Sequence, residues 1–270
     1  MTTSLITGAT AGIGAAFARR LASDRHALVL VARDMKRLDD YAAELRRDHG
    51  VDVEVLVADL STDDGIKAVE TRLADRDKPV DVLVNNAGFG IHGTYPDTPI
   101  ADELTMLKVH CEAVLRLTTA AVRAMRERGH GFVINVASVA AFVPRGTYGA
   151  TKAWVVSFTR GAARDLARNE PTSDRRSEQK RSGVRVMALC PGFVRTEFHQ
   201  RAGINVGDIP DWAWLDADKV VATAIRDLAR GRVVSVPDVR YKAAVGLSRV
   251  SPGGAFNRVS NRVGRHFGPR

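Results

Sequence analysis

Two cysteines, Cys111 and Cys190, are all that this chain of 270 residues contains. Each falls inside an apolar-rich segment, so a disulfide framework is excluded, and two reduced thiols in a cytoplasmic protein are expected. No apolar run approaches the length of a membrane span. The first such run, residues 4–7, leads straight into a glycine loop, so no secretory signal is expected. No internal repeat is visible. Acidic residues are missing from 239–270, which instead holds seven basic ones: Arg240, Lys242, Arg249, Arg258, Arg262, Arg265 and Arg270. Those seven make up most of the net charge of +9, and the 238 residues before them carry only +2. Residues 169–182 contain no aliphatic or aromatic side chain, which reads as a solvated, mobile loop and not as a separate domain.

The length and a hydrophobic content of 45% fit one large α/β domain or two small ones. Short apolar runs at 3–7, 27–32, 53–58, 80–84, 130–137, 184–190 and 232–236 read as strands. They alternate with helical patterns, the clearest near 34–49, 62–77, 100–128, 148–168 and 217–230. Such alternation means a parallel sheet with helices on both faces, here a doubly wound α/β domain over 1–238 with a basic tail at 239–270.

The first strand is followed by TGATAGIG (7–14) and then a helix. Strand, glycine loop and helix together present backbone N–H groups to a pyrophosphate. Gly8 suits the tight turn, Gly12 the approach of the phosphates, and Gly14 the close packing of helix on strand. After the second strand comes Arg33, where an acidic residue would accept from a ribose 2′-OH. An arginine there suits a 2′-phosphate, so NADP(H) is favoured with NAD(H) possible. The alternative is that Arg33 and Arg37 are solvated charges at a helix start. The third strand ends at Asp59-Leu60, where Asp59 either accepts from an adenine amino group or caps the next helix. The fourth ends in NNAG (85–88), whose Asn85 and Asn86 suit amide hydrogen bonds between neighbouring strands, and whose Gly88 lets the backbone pass close to a ribose.

Tyr148 and Lys152, in YGATK (148–152), lie one turn apart on one helical face. A lysine cation near a phenol favours phenolate and lowers its pKa, so that tyrosine trades protons with an alcohol or ketone. Ser138, at the end of the run FVINVAS, is placed to hydrogen-bond the same oxygen. The bland alternative is a chance pair on a helix face.

In the order in which they occur, TGATAGIG, Asp59-Leu60, NNAG, Ser138, YGATK and PGFVRT (191–196) give the chain its resemblance to the short-chain dehydrogenase/reductase superfamily over about residues 2–237. The resemblance implies a Rossmann-type sheet of about seven parallel strands and NAD(P)-dependent hydride transfer between carbonyl and alcohol. It implies Tyr148 as acid/base, Lys152 on the nicotinamide ribose, and Ser138 polarising the substrate carbonyl. It places Gly8, Thr10, Gly12, Ile13, Gly14, Arg33, Asp59, Leu60, Asn86, Ala87, Gly88, Tyr148, Lys152, Pro191, Gly192, Val194 and Thr196 around the cofactor, with Phe193 backbone beside the last three. No metal site is implied. Two departures stand out. His110 occupies the position of the family's usual Asn on the long helix, either relaying protons itself or replacing the Asn passively. The spacing from Ser138 to Tyr148 is also a few residues short, which bears on the shape of the substrate pocket.

The pocket walls are expected from 89–99, 140–147 and 197–216. The last offers Phe198, Ile204, Ile209, Trp212 and Trp214, which suit an apolar or aromatic substrate or merely hold the loop down. The tail is read as a helix packed on the body through Val245, Leu247, Val250 and Phe256, as a peripheral contact with an anionic membrane, or, least favoured, as a nucleic-acid contact. The family suggests a homodimer or homotetramer built on the helices 100–128 and 148–168. Against the leading reading, a carbonyl reductase or alcohol dehydrogenase, stand a dinucleotide-binding sensor with little turnover and an isomerase or dehydratase on the same fold.

Overall fold

Alternation of apolar side chains to opposite faces lets each strand feed two cores at once. The strands are β1 (Thr3–Thr7), β2 (Ala27–Ala32), β3 (Val53–Val57), β4 (Val82–Asn85), β5 (His130–Val136), β6 (Gly183–Leu189) and β7 (Val234–Ser235). In β1, Leu5 and Ile6 are both fully buried, yet they belong to separate clusters on the two sides of the sheet. On one side Ile6 packs with Phe17 of α1 (Gly12–Ser23), Leu38 of α2 (Met35–His49) and Val221 of α7 (Ala217–Ala229). On the other, Leu5 joins Ile66 of α3 (Asp63–Ala74), Leu117 of α5 (Ala113–Arg128) and Leu166 of α6 (Gly146–Arg168). α4 (Ile100–Leu107) precedes α5, and α8 (Val239–Val250) follows β7.

This computed structural model describes residues 2–91, 93, 95–168, 183–198 and 209–250. The expected loop at 169–182, Ile204, Phe256 and the tail beyond 250 lie outside the described residues, as do the side chains of Leu247 and Val250. The seven strands are all parallel, in the order β3-β2-β1-β4-β5-β6-β7. The chain winds one way from β1 to β3 and the other way from β4 to β7. Their carboxyl ends therefore part between β1 and β4, which is where a ligand crevice opens in such a sheet. Among the described residues no helix is long and apolar enough to cross a membrane.

Polar groups set where elements begin and how strands are tied. Asp34, Thr62 and Asp216 cap α2, α3 and α7 by accepting from backbone N–H groups three residues on. Asn85 Nδ2 donates to Asn135 Oδ1 at 2.9 Å, joining β4 to β5. Asn86 Nδ2 donates to the carbonyls of Thr7 and Gly8 at 3.0 and 3.1 Å, joining the end of β4 to β1. The expected strand ends shift by a residue or two, and the helix expected over 62–77 stops at Ala74. A larger difference lies in the helix expected over 100–128. A wide π turn, Lys108–Glu112, separates α4 from α5, and periodicity read at 3.6 residues does not reveal it.

Candidate active site

The glycine loop after β1 carries the first half of the site. Ala11, the residue at the N-cap of α1, has no side-chain group to cap the helix, and no acidic residue occupies its first turn. Its N-terminal N–H groups and positive dipole end thus have no local anion, unlike those of α2, α3 and α7. A methyl added at Gly14 would lie 2.2 Å from the Gly8 carbonyl oxygen and 2.5 Å from Asn86 Nδ2, so helix and strand approach as only glycine allows. Gly12, at φ +54°, faces Thr196, whose methyl would stand 2.8 Å from an added Cβ. Ile13 packs on the core, Leu60 is buried, and the backbone N–H groups of Asn86 and Ala87 both donate to Thr7 Oγ1 at 3.0 Å.

At the ends of β2 and β3, Arg33 leaves β2 with its side chain 73% exposed and Nη1 3.8 Å from Asp59 Oδ2. Asp59 Oδ1 accepts from the backbone N–H and hydroxyl of Ser61 at 2.9 and 2.7 Å. Thr62, not Asp59, caps α3, which removes one of the two readings of that carboxylate. Arg37 donates to the Thr10 carbonyl at 3.2 Å and to Glu197. These groups fit an adenine dinucleotide: an uncapped helix start and glycine cradle for a pyrophosphate, and two guanidinium groups beyond it.

The second half lies beside the first. Ser138 leaves β5 and caps the short turn Val139–Phe142, its hydroxyl accepting from the Ala140 N–H at 3.1 Å. That turn brings the chain to α6 in few residues, so despite the short Ser138–Tyr148 spacing the Ser138 hydroxyl still comes near enough to the phenol to pull its pKa down. Lys152 is buried, donates from Nζ to the Val136 carbonyl at 3.1 Å, and sits 5.6 Å from the centre of the Tyr148 ring. A methyl at Gly88 would meet His110 Nε2 at 3.0 Å and Lys152 Nζ at 3.6 Å, so NNAG, the π turn and α6 converge on one corner.

Electrostatics there correct one expectation. Burial pushes the Tyr148 phenol up to about 12, against the opposing pull of Ser138 and Arg145. Burial also pulls Lys152 down to about 8, opposed by Cys111 and Cys190. Burial thus disfavours the charged form of both groups, the ammonium as well as the phenolate. Tyr148 is therefore held as a neutral phenol, a proton donor.

His110 has no exposed surface. Its Nε2 accepts from the Phe89 N–H at 3.0 Å, which puts the ring proton on Nδ1, 3.4 Å from Thr151 Oγ1. Thr151 in turn donates to the Tyr148 carbonyl at 2.8 Å. Burial, with the Lys152 charge beside it, holds His110 well below the usual histidine range. With both ring nitrogens engaged and the ring kept neutral, this geometry suits the passive reading of His110 better than the relay. The ring lies edge-on to Phe89 and Tyr148, with centroids 5.5 and 5.8 Å away.

The wall facing Tyr148 and the glycine loop is built by residues 191–198 and 209–215. Val194 pairs with Leu215 in an isolated bridge, and the Pro191 carbonyl accepts from Val139 at 3.0 Å. Thr196 Oγ1 accepts from the Phe198 N–H, and the Phe198 ring lies 5.8 Å from Tyr148. Trp214 stands against Phe193 and under the Arg195 guanidinium, whereas Trp212 is 67% exposed and Ile209 is buried. Of the expected wall, then, Phe198 reaches the site and Trp214 braces the loop. Three residues that local pattern did not single out belong to this half. Phe89 has only its place after NNAG as a signal. Tyr241, on α8, accepts from the Phe193 N–H and donates to the Ala213 carbonyl at 3.2 and 2.8 Å, its ring filling the space beside Gly192. Glu197 bonds across the crevice to Arg37. Tyr241 and Glu197 act through contacts distant in sequence, which local pattern does not carry.

Residues 2–206 match the model of a family described as short chain dehydrogenase. A protein of Streptomyces coelicolor, provisionally named a ketoacyl reductase, is 34% identical over 213 residues, 76% of each chain. Among solved structures, a short-chain dehydrogenase from Sphingobium yanoikuyae in complex with NADPH superposes with a TM-score of 0.80 at 35% identity, covering 96% of this chain and 100% of that one. A bulky-bulky ketone specific alcohol dehydrogenase from Comamonas testosteroni gives 0.76 at 30%, covering 96% and 98%. With the seven-stranded parallel sheet, the glycine crevice and the Ser138, Tyr148 and Lys152 corner in place, the chain belongs to the short-chain dehydrogenase family of NAD(P)-dependent oxidoreductases.

Proposed function

We propose that this oxidoreductase reduces a bulky ketone or aldehyde with NADPH, using Tyr148 as the proton donor. The observation that carries the reading is the convergence of Ser138, Tyr148 and Lys152 at the carboxyl ends of the strands, beside an uncapped glycine crevice. A bound nicotinamide supplies the hydride. Gly8, Gly12, Ile13 and Gly14 with the start of α1 would hold the pyrophosphate, and Thr10, Arg33 and Arg37 the 2′-phosphate. Asp59 and Leu60 would meet the adenine, and Asn86, Ala87, Gly88 and Lys152 the riboses. Pro191, Gly192, Val194 and Thr196 would flank the nicotinamide.

The chain's own part in the chemistry follows from the corner. As negative charge grows on the carbonyl oxygen, hydrogen bonds from Ser138 and Tyr148 stabilise it, and the phenol gives up its proton. A phenol held near 12 is fully protonated at neutral pH, the state reduction requires. Lys152 holds the Val136 carbonyl and places positive charge behind the phenol as it ionises. His110 positions Phe89 and, through Thr151, the first turn of α6. The aromatic wall of Phe89 and Phe198 suits an apolar or aromatic substrate. The Comamonas enzyme named for bulky ketones supports this, and the NADPH-bound Sphingobium structure supports the cofactor. No observation favours a sensor without turnover.

A homodimer or homotetramer fits the exposed apolar stripe Ile100, Leu104, Leu107 and Leu115 on α4 and α5, 41–72% exposed. Of the tail readings, the packed helix has support where it is described, because Val245 is buried and Tyr241 packs on the core.

The test is oxidation of NADPH and, in parallel, NADH against a panel of ketones and aldehydes. Turnover with NADPH on bulky ketones is expected, and loss of several orders of magnitude in Tyr148→Phe with cofactor affinity retained. Full activity of that variant would sink the assignment.

A further inference from the structure

Arg37 stands two residues into α2, against the glycine loop, and its guanidinium reaches across the crevice. Nη1 donates to Glu197 Oε2 at 3.2 Å and Nη2 to Glu197 Oε1 at 3.0 Å, a two-pronged pair between residues 160 apart in sequence. Nη2 also donates to the Thr10 carbonyl at 3.2 Å. Glu197 lies between two other bridging residues. Thr196 rests on Gly12 of the glycine loop, and Phe198 rests on Tyr148. Three consecutive residues thus touch the pyrophosphate cradle, the adenosine-side arginine and the proton donor. They form a strap across the mouth of the crevice, and the Arg37 ion pair is its fastening.

The prongs that Arg37 offers Glu197 are the same edge a guanidinium offers a phosphate. One edge cannot serve two anions in full, and a carboxylate beside a bound phosphate repels it. Arg33, the other arginine at this end, is mostly exposed and faces Asp59 at 3.8 Å. Arg37, less exposed and held against the glycine loop through the Thr10 carbonyl, is the more fixed of the two, and its counter-ion matters to any anion arriving there. We propose that Glu197 competes with the cofactor's 2′-phosphate for Arg37, so that Glu197 restrains the preference for NADPH over NADH and ties it to the seating of the strap. A cofactor without the 2′-phosphate leaves the pair intact. The inference rests on the assignment of Arg37 to the 2′-phosphate made above.

Binding of adenosine 2′,5′-bisphosphate and adenosine 5′-monophosphate to the full chain, followed by calorimetry, tests this without turnover. NADPH and NADH serve as a second pair of probes. Glu197→Gln is expected to tighten the bisphosphate and NADPH about two- to five-fold, the range an exposed ion pair spans. The monophosphate and NADH should be unmoved, and the gain should shrink in about 0.5 M salt. In an Arg37→Gln background the same substitution should do nothing. Equal tightening of all four ligands, or none, would overturn the competition. If wild type already fails to distinguish bisphosphate from monophosphate, the 2′-phosphate assignment falls and the competition with it. If wild type distinguishes them and Glu197→Gln leaves the ratio untouched, the competition alone falls.

Discussion

Replacing Lys152 with methionine should make the protein more stable while removing its activity. Lys152 is 5% exposed, and burial lowers its pKa from 10.5 to about 8. At ~1.4 kcal/mol per tenfold, keeping that ammonium charged in the fold at pH 7 costs about 3 kcal/mol relative to the unfolded chain. Methionine fills similar volume without charge. It also leaves the Val136 carbonyl without its Nζ donor, which returns about 1 kcal/mol, so the net gain is ~2 kcal/mol. For a domain of this size that is a rise in Tm of about 4–8 °C. The sign with pH is fixed by the direction of the shift. A folded pKa below the unfolded one means the penalty is fully present below about 8, where both states are charged. It fades as pH rises from there toward 10.5, because the folded lysine deprotonates first. The advantage of Lys152→Met should therefore be largest at pH 7 and nearly gone by the upper end of that window. Urea unfolding of both proteins at several pH values measures it. A variant no more stable than wild type at pH 7, or a gap that stays constant to pH 10.5, would refute the reasoning.

Two further substitutions probe the corner and the cradle. His110→Ala should lower kcat by one to two orders of magnitude by freeing the Phe89 loop and Thr151, whereas His110→Asn, which retains an acceptor and a donor, should recover most of it. Because the ring is held neutral, the pH profile of reduction should show no titration traceable to His110; a profile that changes shape in His110→Asn would restore the relay reading. Gly14→Ala should destabilise the fold by about 1–3 kcal/mol and abolish dinucleotide binding, because its methyl would meet the Gly8 carbonyl; unaltered nucleotide affinity by calorimetry would contradict the close approach.

The sheet was legible because each strand is a short apolar run closed by a motif, and those motifs fall where the crevice opens. The pairing of Asn85 and Asn86 with neighbouring strands follows the same logic and is seen in their amide bonds. What pattern could not supply falls into two kinds. Contacts between distant segments, such as Arg37 with Glu197 or Tyr241 with Phe193, have no local trace. The balance of opposed effects is also invisible to spacing. Lysine and tyrosine four apart suggest a depressed phenol, but burial acts on both groups at once and reverses the outcome for Tyr148. His110 was visible as a substitution in a motif, but its engagement by Phe89 and Thr151 needed coordinates.

The widened turn between α4 and α5 has a consequence at each of its ends. A π turn takes up roughly one residue more than an α turn. Leu107 and Leu115 are eight apart, a little over two ordinary turns, so on an unbroken helix they would drift out of line. With the surplus residue absorbed at Lys108–Glu112, eight positions make nearly two full revolutions, and the outward leucines stay in file. The same surplus swings an imidazole toward the catalytic corner. One residue of slack thus serves the outer face and the interior together.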